Sequence, residues 1–296
     1  MDASPARRFA VIDLGSNTAR LVVIDAIPGY SYRLVDQVRE VVRLRQGMTD
    51  SGMTEPAMAR GFSTLRLFKR FCDSTDVDKI LPIATSAVRE AANGPIFVDR
   101  VSREIGIPLQ VLDGEQEAYY DAVGALNEVR LSEGTVVDIG GGSVQISDIR
   151  EGRFRAGTSV TLGALALTER FVDSDPITDE AYDRVRTEIE RQLDTVTWLP
   201  EKSGERLVGL GGTIRNLARI RGRQIDYPLS TLHGFILSRE SVEESIQLFR
   251  DLPLDERKKI DGLKSDRADI ILPGALVLLA IMSRLEVDEV DRKSVV

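Results

Sequence analysis

One local design occurs twice in this chain, and the repetition limits the fold more than any other feature. Val136 to Ile146 reads VVDIGGGSVQI: β-branched residues lead into Asp138, three glycines and a serine follow, and alternating apolar residues resume. Phe9 to Ala26 reads FAVIDLGSNTARLVVIDA, where Asp13 leads into Gly15, Ser16 and Asn17. Each stretch reads as strand, turn and strand. Glycine in such a turn permits φ > 0 and lets an anion come close enough for backbone N–H groups to cradle it. The Asp at the strand end can hold a divalent cation or orient a water beside that anion. A single glycine hairpin is as readily an ordinary β-turn. Two of them, roughly one domain apart, predict two related halves folded about a cleft.

The remaining elements extend that repeat. In the first half, a third strand is expected over 32–44, a helix over 55–73, a strand over 79–84 running into TSAVREAAN, a helix over 96–105, a strand over 108–112 and a helix from Gly114. The second half supplies strands at 135–138, 144–149 and 153–161, helices at 163–171 and 178–199, and a strand at 206–210 that runs into GLGGTIRNLARI. Helices at 238–251 and 267–285 and a last strand at 287–290 complete it. The order predicts an α/β protein of two domains, 1–130 and 131–296, each a mixed sheet flanked by helices.

A hydrophobic fraction of 42% and a charged fraction of 29% are those of a soluble globular protein. The net charge of −8 argues against bulk attraction to nucleic acid or to an anionic membrane. A polyanionic ligand would then need local cations, which Arg39, Arg43 and Arg45 offer in one segment and Arg215, Arg219, Arg221 and Arg223 in another; either cluster also reads as a solvated face. The longest apolar stretch, Ile270 to Met282, contains a proline and is too short to span a bilayer, and the first residues lack the apolar core of a secretory signal. The single cysteine, Cys72, excludes an internal disulfide and fits a reducing cytoplasm; its helical apolar setting predicts a core residue.

Several side chains carry candidate chemistry. LDGEQEAYY places Glu115 and Glu117 in the first turn of a helix, two residues apart and so pointing in different directions. Glu115 reads as a complement to the helix dipole. Glu117 reads as a carboxylate able to position and deprotonate a water. Gly211, Gly212 and Thr213 open a helix after a strand, a turn suited to a phosphate, a ribose or a base and equally to close packing. TSAVRE offers Thr85, Ser86 and Arg89, the arginine one turn into a helix where it can fork onto phosphate oxygens. His233, the only histidine, reads as a packed, hydrogen-bonded residue. No Cys/His metal cluster, G-x-S-x-G elbow or G-x-x-x-x-G-K-[ST] loop is present in the sequence.

With these residues in view, the chain resembles the exopolyphosphatase and guanosine pentaphosphate phosphohydrolase family. The resemblance rests on VIDLGSNTARL, TSAVREAAN, DGEQEA, VVDIGGGSVQI, GLGGTIRNLA, LHGF and DRADIILPGA, in that order, over nearly the whole chain. It implies two ribonuclease-H-like domains of the actin, sugar-kinase and heat-shock-70 ATPase type facing a cleft. By position it implies Glu117 as the catalytic base and Asp138 as a metal-linked carboxylate. Asp13, Gly15, Ser16 and Asn17 fall on one phosphate loop, Gly140, Gly141, Gly142 and Ser143 on the other, with Arg89 on the phosphate and Arg267 on the polyphosphate chain. Mg²⁺ or Mn²⁺ would sit near Asp138, reached by Asp13 and Glu117. The family's paired acids are here Gln116 and Glu117, a change expected to tune the base without removing it. Longer members carry a further C-terminal helical domain, and the chain reads as a short form or a trimmed core, a cytoplasmic enzyme in which a homodimer is open.

The reaction so implied is metal-assisted hydrolysis of the terminal phosphate of inorganic polyphosphate, releasing orthophosphate. The first alternative is removal of the 5′-terminal phosphate of guanosine pentaphosphate, the stringent-response nucleotide. The second is a nucleotide-binding sensor without turnover, against which Glu117 in its motif argues. A sugar kinase would need an acceptor-deprotonating Asp, for which no segment is found.

Overall fold

The computed structural model describes residues 6–27, 29–229 and 231–292. By compactness the chain divides between Asp113 and Gly114, one helix before the boundary expected near residue 130.

The first unit is built on β1 (Arg7–Leu14), β2 (Thr18–Ile27) and β3 (Ser31–Val41), which form an antiparallel meander. After α1 (Glu55–Ser74), β4 (Lys79–Ala84) joins parallel to β1. Two helices, α2 (Ser86–Glu90) and α3 (Gly94–Ile105), then precede β5 (Gln110–Val111), parallel to β4. The strand order is β3-β2-β1-β4-β5. Alternation along the hairpin turns Ala10, Ile12, Leu14, Ala19, Leu21 and Val23 into the core. Helix α1 starts where Thr54 accepts a hydrogen bond from Ala57 N and Pro56 presets the first turn. Its Met58, Phe62, Leu65, Phe68 and Cys72 form the buried stripe that the sequence spacing predicts. Full burial of a residue such as Phe68 contributes about 1.5–3 kcal/mol.

The second unit opens with α4 (Gly114–Glu128) and repeats the meander with β6 (Gly134–Ile139), β7 (Val144–Arg150) and β8 (Arg153–Val160). Two helices follow, α5 (Ala164–Phe171) and α6 (Asp179–Leu193). Then β9 (Leu207–Leu210), parallel to β6, runs into α7 (Gly211–Gln224). The unit closes with β10 (Phe235–Ser238), α8 (Arg239–Asp251), α9 (Leu254–Arg257), α10 (Ile271–Arg284) and β11 (Glu289–Arg292). The sheet order is β10-β11-β9-β6-β7-β8. Without β10 this is the first sheet again, element for element. The expected duplication is therefore present in both topology and sequence.

Five expectations are corrected. Strand β10 was not expected, because its ladder partner β11 lies far along the chain and four residues carry little periodicity of their own. Helix α6 ends at Leu193, short of the expected Leu199, and α10 begins at Ile271 after a 3₁₀ turn over Ser265–Arg267. Strand β3 leaves the sheet at Val41, short of residue 44. His233 is exposed on the turn before β10 rather than packed. Among the described residues no helix is long and apolar enough to cross a membrane.

One buried acid ties the helical layer of the second unit together. Glu188 on α6 accepts hydrogen bonds from Arg191, Gln192 and Arg170, and Gln192 also donates to Thr161. The Arg191 guanidinium, partly opposed by burial, holds the Glu188 carboxyl down at about 2, against an ordinary 4.5. A shift of that size corresponds to about 3 kcal/mol; with both arginines partly exposed, about 1–2 kcal/mol is the reasonable expectation. A depressed folded-state value means that the stabilisation is complete above about pH 4.5 and is lost as pH falls towards 2. Glu188→Gln should therefore lower thermal stability at neutral pH, and the gap to wild type should close across that acid window. A gap that stays constant from pH 5 to about 2 would remove the ion-pair explanation.

Candidate active site

In the first unit the turn after β1 is closed by Gly15 N donating to Thr18 O at 3.1 Å, and a Cβ on Gly15 would lie 2.9 Å from that same oxygen. The turn therefore requires glycine for space. Asp13 is half-buried two residues before it, opposite Arg20 in the ladder. Because β4 runs parallel to β1, its end lies beside this loop: Thr85 N donates to Leu14 O, and Ser86 Oγ sits 2.8 Å from Ser16 Oγ, with both serines buried. Arg89 is aimed by its Nη1, which donates to Leu112 O at 2.9 Å. Asn17 is 2% exposed, and neither polar atom of its side chain has a hydrogen-bond partner. Such a group costs about 1–3 kcal/mol when buried and is characteristic of functional positions.

The second unit repeats the turn to the same dimensions. Gly140 N donates to Ser143 O at 3.1 Å, and a Cβ on Gly140 would lie 2.9 Å from that oxygen. The loop is held from below by α5, whose entry residues donate to it: Gly163 N to Gly142 O, Ala164 N to Gly140 O, and Leu165 N and Ala166 N to Gly141 O. These bonds satisfy N–H groups that a helix start leaves orphaned, and they turn the glycine carbonyls towards α5. Beside it, Ile139 bridges to Gly211, so the loop and the start of α7 are neighbours. Gly211 has φ +90°, and a Cβ there would meet Asp138 Oδ1 at 2.5 Å. Glycine alone lets the chain pass this close to that half-buried carboxylate. Gly212 lies against the Arg267 guanidinium, where a Cβ would fall 2.4 Å from Cζ. Thr213 is buried with its hydroxyl packed against Gly274.

Helix α4 carries Glu117 and is fixed to the same sheet at close range. Ala118 packs where a Cβ on Gly157 would come within 2.7 Å of it, and Gly114 faces Ser159 as tightly. Ser147 Oγ donates to Ala118 O at 2.9 Å. Gln145 Nε2 donates to Ser143 Oγ at 2.8 Å and to Ser159 Oγ at 2.9 Å, so one amide links the second loop to the strand beneath the start of α4. Glu117 is half-buried on this anchored turn, and Glu115 is exposed.

Among the described residues no three His, Cys, Asp or Glu side chains group closely enough to hold a metal ion by themselves. Mg²⁺ is commonly bound through one or two carboxylates with water and substrate phosphate oxygens completing its shell. Asp138, half-buried at the end of β6, is one carboxylate of the type that mode uses.

A model of the Ppx/GppA phosphatase family matches residues 22–295. The chain belongs to that family. It is 29% identical over 289 residues to exopolyphosphatase 1 of Mycobacterium leprae, covering 96% of this chain and 85% of that one. The solved Ppx/GppA enzyme of Aquifex aeolicus is 29% identical, with a TM-score of 0.79 over 98% of this chain and 96% of that one. An exopolyphosphatase of Cytophaga hutchinsonii, at 24% identity, shares the fold with a TM-score of 0.87 over 97% and 94% of the two chains. Both units thus have the ribonuclease-H-like, actin-type fold of Ppx/GppA proteins, and the chain is a phosphatase by family.

In the first unit Ser86, one turn before Arg89, meets Ser16 of the loop; in the second, the loop neighbours Gly211, Gly212 lies against Arg267, and Glu117 is on the helix packed against β8. Gln145 and Gly163 were missed. Neither has a motif of its own, and both matter only through atoms distant in sequence.

Proposed function

We propose that this chain is an exopolyphosphatase that hydrolyses the terminal phosphoanhydride of inorganic polyphosphate and releases orthophosphate. The observation that carries the proposal is the fixed relation in the second unit between the glycine loop and the helix that carries the half-buried Glu117: Gln145 bridges Ser143 and Ser159, and Ser159 packs against Gly114 at the start of that helix. Backbone amides of Gly15–Asn17 and Gly140–Ser143 bind phosphate oxygens, and Arg89 takes charge on the equatorial oxygens of the transferred group. Glu117 orients the attacking water and accepts its proton. Asp138 would hold Mg²⁺, with Asp13 and Glu117 as further oxygen donors, and the ion would supply neutralisation of phosphate charge. Arg267, buried against Gly212, holds the following part of the chain.

Purified protein incubated with Mg²⁺ and long-chain polyphosphate should release orthophosphate steadily. Release from guanosine pentaphosphate alone would move the activity to the nucleotide. A folded protein that binds either compound for hours without phosphate release would instead be a sensor, and the hydrolase reading would fall.

A further inference from the structure

The first loop has an outer layer that the catalytic reading leaves unused. Beyond β3 the chain folds back over the loop: Val42 N and Arg43 N both donate to Asn17 O at 3.0 Å, and Arg45 N donates to Ser16 O at 3.3 Å. Val42 and Leu44 are fully buried and anchor this strap from inside. Arg60, on α1, ties it from outside, with Nε donating to Val42 O at 2.8 Å and Nη2 to Arg43 O at 2.9 Å. Arg43 is thereby held at φ 42°, in the left-handed region. Long side chains seldom adopt that region, where Gly or Asn sits more easily, and a strained residue persists only when its surroundings over-determine it.

The strap carries two cations, Arg43 and Arg45. Arg45 pairs with Glu90 at 2.5 Å and is largely buried, so its charge is committed to the fold. Arg43 is half-buried, and its own amide is bonded to Asn17 O, so its guanidinium lies within one side-chain length of Gly15–Asn17. In a chain of net charge −8, a polyanion reaches an amide loop only where local cations offset the overall repulsion.

We infer that Arg43 is a substrate-binding residue, its guanidinium forking onto a phosphate of the anion that the first loop receives. The inference rests on the reading that this loop binds phosphate. It explains why the strap is pinned at so many backbone atoms: the pins hold an arginine in a conformation chosen for its position. It also gives Asn17 a second task, since the same residue that lines the loop fixes the place of the cation beside it.

Three variants test this: Arg43→Asn, which keeps the left-handed backbone and removes the charge; Arg43→Lys, which keeps the charge and removes the fork; and Arg45→Ala. Each is titrated with inorganic tripolyphosphate in the presence of Mg²⁺ by calorimetry, and each is assayed for phosphate release from long-chain polyphosphate. Arg43→Asn should bind tripolyphosphate about 10- to 100-fold more weakly and raise KM by a similar factor, with kcat within a few-fold. Arg43→Lys should fall between the two. Arg45→Ala should lose thermal stability and bind better than Arg43→Asn. Wild-type affinity in Arg43→Asn overturns the inference, as does equal weakening in a well-folded Arg45→Ala, which would point to bulk charge. If the wild type binds tripolyphosphate but releases no phosphate, the hydrolase reading fails while the affinity comparison still decides Arg43. If the wild type does not bind it at all, the inference fails too.

Discussion

Glu117→Gln is expected to lower kcat for phosphate release by about 10²- to 10⁴-fold, with KM staying within a few-fold of wild type. The substitution replaces one carboxylate oxygen by an amide of the same shape, so it removes proton acceptance without removing volume. The turn that carries it is fixed by contacts that leave Glu117 out: Ala118 against Gly157, Gly114 against Ser159, and the bond from Ser147 to Ala118 O. The turn should therefore keep its place in the variant. Loss of one negative charge next to a polyanion should, if anything, strengthen binding. Glu115 is the internal control, because two residues rotate it by roughly 200° around the helix, and it is exposed. Glu115→Gln should keep wild-type turnover. If Glu117→Gln instead raised KM as much as it lowered kcat, or unfolded the protein, the carboxylate would be a structural or binding group and not the base.

Much of this architecture is legible in the sequence because the informative residues are local. Asp13, Gly15 and Ser16 mark the same turn as Asp138, Gly140 and Gly141, and the two turns prove to share both their closing hydrogen bond and their spatial demand for glycine. The stripe from Met58 to Cys72 is legible because a helix burying one face must repeat at 3.6 residues. What escapes a sequence reading is whatever depends on a distant partner. Strand β3 has the alternation to continue to residue 44, yet it ends at Val41 because Asn17 O captures the next two amides. Gln145 looks like one polar residue in an alternating strand, and only the fold places Ser143 and Ser159 on either side of its amide. Gly163 looks like a helix-opening glycine, one of many.

That glycine supplies the second large effect. Gly163→Ala should reduce kcat/KM by about 10²-fold and destabilise the fold by about 1–3 kcal/mol or more. Its φ of −61° and ψ of 146° are open to any residue, so the cost is not conformational. It is steric: a Cβ at 163 would lie 2.2 Å from Gly142 C and 2.4 Å from Gly141 C and O, atoms of the second glycine loop's own backbone. Backbone cannot rotate aside as a side chain does. Either α5 withdraws, breaking the bonds from Ala164, Leu165 and Ala166 to Gly140 and Gly141, or the loop is pushed outward with its amides. Both routes displace the amides proposed above to bind phosphate, and a shift of about 1 Å suffices to cost orders of magnitude in rate. Gly106 provides the contrast. It ends α3 at φ +75° with nothing within 4 Å of a Cβ, so Gly106→Ala meets backbone strain and no collision. That variant should lose about 1 kcal/mol of stability and no activity. Thermal unfolding and kcat/KM measured on both variants separate the two uses of glycine. If Gly163→Ala kept full kcat/KM, α5 could not be the support that sets the second loop.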